Sequence, residues 1–288
     1  MTMELIGFDI GARGVTGVVI DGEGRLLRRA RRDGDPADVL RDVFAELGHR
    51  SYDACGIAAD NVVDAGQFGP SGPPQFVHTS TPGAAAVAAE AWVGGARGAR
   101  DAVCLWIGDR VLAGVLLNGQ PWLGAHGLAG AAGWLALNPV ERQDYRKFGS
   151  FAAEVSDKGI ARRLAWRIQA GDHSAVLERA GDLDAITAAH VFEGARSGDG
   201  VAISVVRDTA RYVGMATANL IAAFDPEVIV LGGPIAGAGD LLIDPARQEC
   251  GRRLPPPMAN VLRFEVSPLA SDGIAIGAAS LALVARDS

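Results

Sequence analysis

Cysteine is scarce: Cys55, Cys104 and Cys250 are the three in 288 residues, each isolated, two of them inside apolar runs. That argues against a disulfide framework or a thiolate metal site and predicts reduced, buried thiols and a cytoplasmic location. The opening residues carry Glu4 and Asp9 rather than a basic-then-apolar leader, and no uninterrupted apolar run is long enough for a bilayer, so neither a secretory signal nor a membrane partner is expected. A broad basic surface is missing as well. The net charge is −7 and the basic residues are scattered, except in Arg25–Arg32, where Arg28, Arg29, Arg31 and Arg32 read as a solvated edge; no nucleic-acid partner is expected. The length and the 49% hydrophobic content suit two compact domains or one large one.

The chain is organised around Met3–Asp21. An apolar run reaches Asp9, turns through Gly11, Ala12, Arg13 and Gly14, and leaves as Val15–Ile20, which predicts a hairpin with a carboxylate at its bend and a small-residue tip. Leu26–Ala30 continues it as a third strand. Pro36–Leu47 reads as an amphipathic helix, Tyr52–Ala59 as a strand, Asn61–Pro74 as an irregular loop and Gly83–Trp92 as an Ala-rich helix. Ala102–Ile107 and Val111–Leu117 form a second hairpin around Gly108, Asp109 and Arg110. Beyond the small-residue loop Gly124–Gly133 and a polar stretch, Asn138–Phe148, helices are predicted at Ser150–Asp157, Ile160–Gln169, Asp184–Ser197 and Val201–Phe224, the last long and buried. The apolar strand Val228–Leu231 runs into Gly232, Gly233 and Pro234, a way of bringing backbone close to a nucleotide. Ser271–Val284 is a final Ala-rich helix.

This order of parts resembles the ROK family of sugar kinases, in the actin-like ATPase superfamily. FDIGARGVTGVVID is similar to the family's first phosphate hairpin, GIAADNVVD to its first-domain strand and loop, and IGDRVLAGVLLNG to its second phosphate hairpin. AITAAHVFEGARSGDGVA, GMATANLIAAFDPEVIVLGGPIAGAGDLL and DGIAIGAASLAL match the C-terminal half more closely. The resemblance implies an α/β fold of two ribonuclease-H-like domains around a central cleft for nucleotide and sugar. The implied boundaries are 1–119, 120–270 and a last helix, 271–288, packing back on the first domain. It also implies ATP-dependent phosphorylation of a hexose, and nucleotide contacts from Asp9, Gly11, Arg13, Gly108, Asp109, Gly232, Gly233 and Pro234.

The chemical positions depart from the family pattern. The Asn-Asp pair whose Asp is the family's general base falls on Thr81 and Pro82. The sugar-binding Glu and His fall on Ala131 and Trp134, and a further sugar-contacting Glu on Ala152. That His also ligates zinc in the family together with three cysteines, whereas Asn138–Ser150 holds none, so no zinc is expected. The Gly-Thr-Lys of the first phosphate turn reads Ala12, Arg13 and Gly14; the Thr-Gly of the second reads Asp109 and Arg110. The residues therefore predict a pseudokinase with a binding or regulatory role for a small-molecule ligand or partner. The alternative is a kinase for an atypical sugar-like molecule, with ATP and magnesium and with His78, Asp60 or Asp64 as substitute base, His78 the best single candidate. A ROK-type repressor is not expected, since its winged-helix module would precede the first hairpin. Three further expectations follow: Trp134 fills the old sugar subsite against the Ala-rich helix or Trp122, Arg13 pairs with Asp9 or Asp109 or else grips an anion, and the protein is a homodimer through its C-terminal domain.

Overall fold

A computed structural model describes residues 3–48, 51–60, 76–261 and 263–288. The chain divides into two compact units, one of Met1–Cys104, Ala113–Gly130 and Ser267–Ser288, the other of Leu105–Leu112 and Ala131–Val266.

The first unit is built on the hairpin β1 (Glu4–Gly11) and β2 (Gly14–Asp21), which pair antiparallel from Glu4↔Asp21 to Gly11↔Gly14 around a two-residue tip. β3 (Leu26–Asp33) adds an outer antiparallel strand, while β4 (Ala54–Ala59) runs parallel to β1 and β5 (Val77–Ser80) parallel to β4, so the sheet order is β3-β2-β1-β4-β5. The arginines of β3 lie on this edge, and each has a carboxylate: Arg28 with Glu4, Arg29 with Asp272, Arg31 with Asp33 and Arg32 with Glu46. One face of the sheet is covered by α1 (Pro36–Leu47), whose Leu40, Val43, Phe44 and Leu47 pack on Ile6, Phe8, Val15 and Val19. Asp35 caps that helix by accepting from the Ala37 N–H, with proline in its first turn.

On the other face lie α2 (Pro82–Val93) and α11 (Gly273–Asp287), with Leu5, Val18, Ile20, Ala89, Ala275 and Ala279 in one apolar cluster. Glycine makes this approach possible: a Cβ on Gly7 would stand 2.0 Å from the Ala275 carbonyl oxygen, and one on Gly56 would stand 1.9 Å from that of Ala278.

The second sheet has the order β10-β9-β6-β7-β8, formed by β6 (Ala102–Ile107), β7 (Val111–Leu117), β8 (Gln120–Pro121), β9 (Val228–Gly232) and β10 (Arg263–Val266). The division into units falls within β6 and β7. Helices of the second unit are α3 (Gln143–Phe148), α4 (Ser150–Val155), α5 (Asp157–Gln169), α6 (Ala175–Ala180), α7 (Ala188–Arg196), α8 (Gly200–Phe224), α9 (Gly239–Gly251) and α10 (Pro256–Val261). The 25-residue α8 is its spine, with Ala202, Thr209, Ala210, Val213, Ala216 and Thr217 wholly buried.

Several segments differ from the sequence reading. The polar stretch before Gly149 contains α3, and the single helix read at Ser150–Asp157 is instead α4 followed by a new start, where the Ser156 hydroxyl accepts from the Gly159 N–H and opens α5. The helix read from Asp184 begins at Ala188, because Thr187 and His190 form a capping box. α9 follows the Gly-Gly-Pro turn with Pro245 inside it, an interruption that masks its pattern. All three cysteines are buried and unpaired; burial pushes the Cys55 thiol up to about 12 and the Cys250 thiol up to about 11. The loop Asn61–Pro74, with Asp64, lies outside the described residues. Among the described residues no helix is long and apolar enough to cross a membrane.

Candidate functional site

The positions singled out above fall into two groups, one in each unit. In the first unit they gather at the carboxyl ends of the parallel strands, the edge where open α/β sheets commonly take ligands. Asp9 pairs with Ala58, Ile10 with Ala59, and Ala58 with Ser80. The hairpin tip with Gly11 and Arg13, the exposed Asp60 just past β4, and the Thr81–Pro82 corner past β5 therefore share one edge. His78 pairs with Gly56 and so sits two rungs back from Ser80. Of the described candidate bases, Asp60, just past the end of β4, therefore lies nearer that edge than His78. Asp9 is half-buried and Arg13 exposed, and both are engaged in polar interactions.

The Thr81–Pro82 corner makes a sound helix start. Thr81 is the N-cap, its Oγ1 accepting from the Ala84 N–H at 3.2 Å, and Pro82 is buried in the first turn. The hydroxyl is therefore committed to the cap, and proline has no side-chain proton acceptor. Gly83 is wedged next to β7: a Cβ on Gly114 would meet the Gly83 carbonyl oxygen at 2.1 Å.

Glu90, eight residues beyond Pro82, is the helix's sole charged side chain. It is 1% exposed, accepts from the Gly95 N–H at 2.8 Å and from the Ser267 hydroxyl, and ties the end of α2 to the segment leading into α11. Burial raises its carboxyl above the ordinary range, partly offset by those two hydrogen bonds.

In the second unit Gly108, Asp109 and Arg110 form a tight turn closed by the Gly108 N–H to the Arg110 carbonyl at 3.0 Å, with Asp109 exposed and polar-bonded. A Cβ on Gly108 would lie 2.8 Å from Pro234 Cδ. Gly233, at φ 84°, would place one 2.7 Å from the Ile107 carbonyl oxygen. Close packing of protein on protein is thus sufficient to require glycine at both positions.

Ala131, Trp134 and Ala152 also converge. The 3-10 turn Ala132–Trp134 buries Ala132 and Gly133, and a Cβ on Gly133 would stand 3.1 Å from that of Ala152. Trp134, read above as filling a pocket against the Ala-rich helix or Trp122, is instead 60% exposed. The backbone explains this correction: Gly149, at φ 88°, lies so near that a Cβ there would be 2.2 Å from the Gly133 carbonyl oxygen and 3.1 Å from Trp134 Cα, so the inner side of the turn is full and the indole stands outside.

Beside Ala152 lies a buried polar cluster with no counterpart in the sequence reading. Glu154, 3% exposed, accepts from the Tyr145 hydroxyl at 2.5 Å and from Arg142 at 3.4 Å, and faces Arg163 Nε at 3.7 Å. Arg163 in turn donates to the Thr209 hydroxyl of α8. Burial and the neighbouring Glu154 carboxylate push the Tyr145 hydroxyl well above its usual range, while burial lowers the Arg163 guanidinium despite Glu154. One carboxylate therefore joins α3, α4, α5 and α8. Zinc does not fit this region: Trp134 offers no ligand nitrogen lone pair, and Asn138–Ser150 contains no cysteine. Among the described residues no cluster of three or more His, Cys, Asp or Glu could hold a metal.

Two α/β units, the first built on a glycine-cornered hairpin and the second carrying a strand that runs into a Gly-Gly-Pro turn, define a sugar-kinase-like protein of the actin-like ATPase fold. The chain belongs to the ROK family, whose model matches residues 77–285. A glucokinase of Halalkalibacterium halodurans is 32% identical over 190 residues, spanning 65% of this chain and 58% of that protein. A glucokinase of Thermotoga maritima is 25% identical over 307 residues, with 97% of each chain aligned. The structure of a ROK family glucokinase from Streptomyces griseus, in complex with glucose and AMPPNP, matches with a TM-score of 0.83 at 25% identity, covering 99% of this chain and 100% of that one.

Proposed function

We propose that this protein keeps the scaffold of a ROK sugar kinase without its phosphotransfer, and serves as a binding or regulatory component. The carrying observation is the start of α2: where the family pattern puts a general base, the chain has a hydroxyl committed to the cap followed by a buried proline. Loss of a positioned base typically lowers a rate by about a hundred- to ten-thousandfold. Ala131, Trp134 and Ala152 support the same reading, because two methyls and an exposed indole replace three groups that would orient sugar hydroxyls. The exposed Asp109 carboxylate in the second turn repels a phosphate chain unless a cation intervenes. Calorimetric titration with Mg-ATP, Mg-ADP and glucose tests this: no binding heat is expected, and micromolar affinity for nucleotide would overturn it. A second reading is supported by Asp60, an exposed carboxylate just past β4 at the carboxyl ends of the parallel strands. In that reading Asp60 deprotonates an atypical sugar-like substrate, and Asp60→Asn abolishes whatever turnover the wild type shows.

A further inference from the structure

At the opposite, amino ends of the parallel strands, the first unit carries a cavity of about 520 Å³ lined by Gly22, Glu23, Arg25, Trp92, Val93 and Arg97. The volume falls in the range of small-molecule sites, about 300–1,000 Å³. Both walls are held by hydrogen bonds rather than left as loose loops. On one side, the Asp21 carboxylate accepts from the N–H groups of Glu23 and Arg25, each at 2.9 Å, and the Asp21 N–H and the Arg25 carbonyl close the turn at 3.1 Å. On the other, the carboxylate of buried Glu90 takes the Gly95 N–H and its carbonyl takes the N–H of Gly94 and Ala96, fixing the end of α2 and the turn that carries Arg97. Gly24 brings the walls together: at φ 81°, a Cβ there would lie 2.6 Å from Val93 Cγ1 and 3.3 Å from the Trp92 ring.

The lining specifies a ligand chemistry. Trp92 and Val93 supply an aromatic and an apolar surface, both partly exposed. Arg25 already pairs with Glu23, whereas Arg97 is exposed and has no carboxylate partner among the described residues. Two guanidiniums against one carboxylate favour a singly charged anion, and Glu23 disfavours polyanions such as nucleotide phosphates. We propose that this cavity binds a small aromatic monocarboxylate, its ring on Trp92 and its carboxylate held bidentately by Arg97.

The test is saturation-transfer NMR and calorimetry on the full chain with phenylacetate, its neutral analogue 2-phenylethanol, and inorganic phosphate, in the absence of nucleotide and sugar. Saturable phenylacetate binding is expected, weakened by about tenfold or more both in 2-phenylethanol and in Arg97→Gln, the usual consequence of losing a charge-assisted hydrogen bond. Arg97 is exposed, so that variant should fold; Arg97→Lys should retain part of the affinity, and Trp92→Leu should lose the ring's transfer signal. The proposal is overturned if phenylacetate does not saturate, if Arg97→Gln binds it like the wild type, or if phosphate displaces it at equal concentration. Because the titrations omit nucleotide and hexose, their outcome is independent of whether phosphotransfer has been lost.

Discussion

Replacing Gly277 by alanine should loosen the seat of the last helix. Gly277 lies on α11 facing α2, where a Cβ would stand 1.7 Å from the Ala85 carbonyl oxygen and 2.5 Å from its carbon, against an ordinary contact of 3.4 Å or more. The obstruction is backbone, and Ala85, Ala86, Val87 and Ala89 around it are between 0% and 1% exposed, so neither a rotamer change nor an outward shift of a side chain relieves it. The two helices would have to part by roughly 1.5–2 Å, in a core whose overpacking costs about 1–3 kcal/mol and occasionally more. Against this, alanine gains about 1 kcal/mol of helix propensity over glycine. With a backbone obstruction the upper end applies, leaving a net loss of about 2 kcal/mol, or roughly 4–8 °C in midpoint temperature for a chain of this order of size. Gly200→Ala is the matched control, since it also lies in a helix but has nothing within 4 Å of the added methyl. Thermal and urea unfolding followed by far-UV circular dichroism reads both. A midpoint for Gly277→Ala equal to that of Gly200→Ala would refute the close-packing argument.

Glu90→Gln should change the pH dependence of stability with a definite sign. The folded carboxyl is raised above its unfolded value, so ionised Glu90 destabilises the fold at neutral pH and the wild type gains relative to the variant as pH falls through the folded value toward 4.5; parallel curves would contradict it. Asp199→Ala should cost about 1–2 kcal/mol, because this N-cap of α8 accepts from the Ala202 N–H at 2.8 Å, the Ala175 N–H at 2.7 Å and the Ser174 hydroxyl at 2.9 Å. Burial raises the Asp199 carboxyl, but these bonds outweigh it and hold it low, so the cost should fade as pH drops below about 3.8, as urea titrations at several pH values would show. Arg13→Thr combined with Asp109→Thr tests whether turn charges alone exclude nucleotide; Mg-ATP titration should still show no binding. Light scattering should give about twice the chain's 29.8 kDa, with the exposed Trp134, Val140 and Phe148 of the second unit candidates for coverage; a monomer mass at high concentration would contradict it.

Much of the fold was legible because local and tertiary preferences agree. The β-branched run Val15–Ile20 and the glycine corner make the first hairpin, and Pro36–Leu47 presents one apolar stripe that is the stripe buried. α3 was not legible, since in QDYRKF Tyr145 alone is buried and its anchor, Glu154, comes nine residues later. Register was also beyond sequence: that Asp60 lies nearer the sheet edge than His78 depends on the pairing of β4 with β5. Trp134 failed for a different reason. Its side chain suggested a filled pocket, whereas its direction is set by Gly149 packing beneath the neighbouring backbone.

The most direct test of lost phosphotransfer is a coupled assay for ADP formation with Mg-ATP and a panel of hexoses and N-acetylhexosamines, run beside an active ROK glucokinase. This chain should form no ADP above the sugar-free blank. Sugar-dependent ADP formation that disappears in Asp60→Asn would contradict the account and establish a kinase with a displaced base.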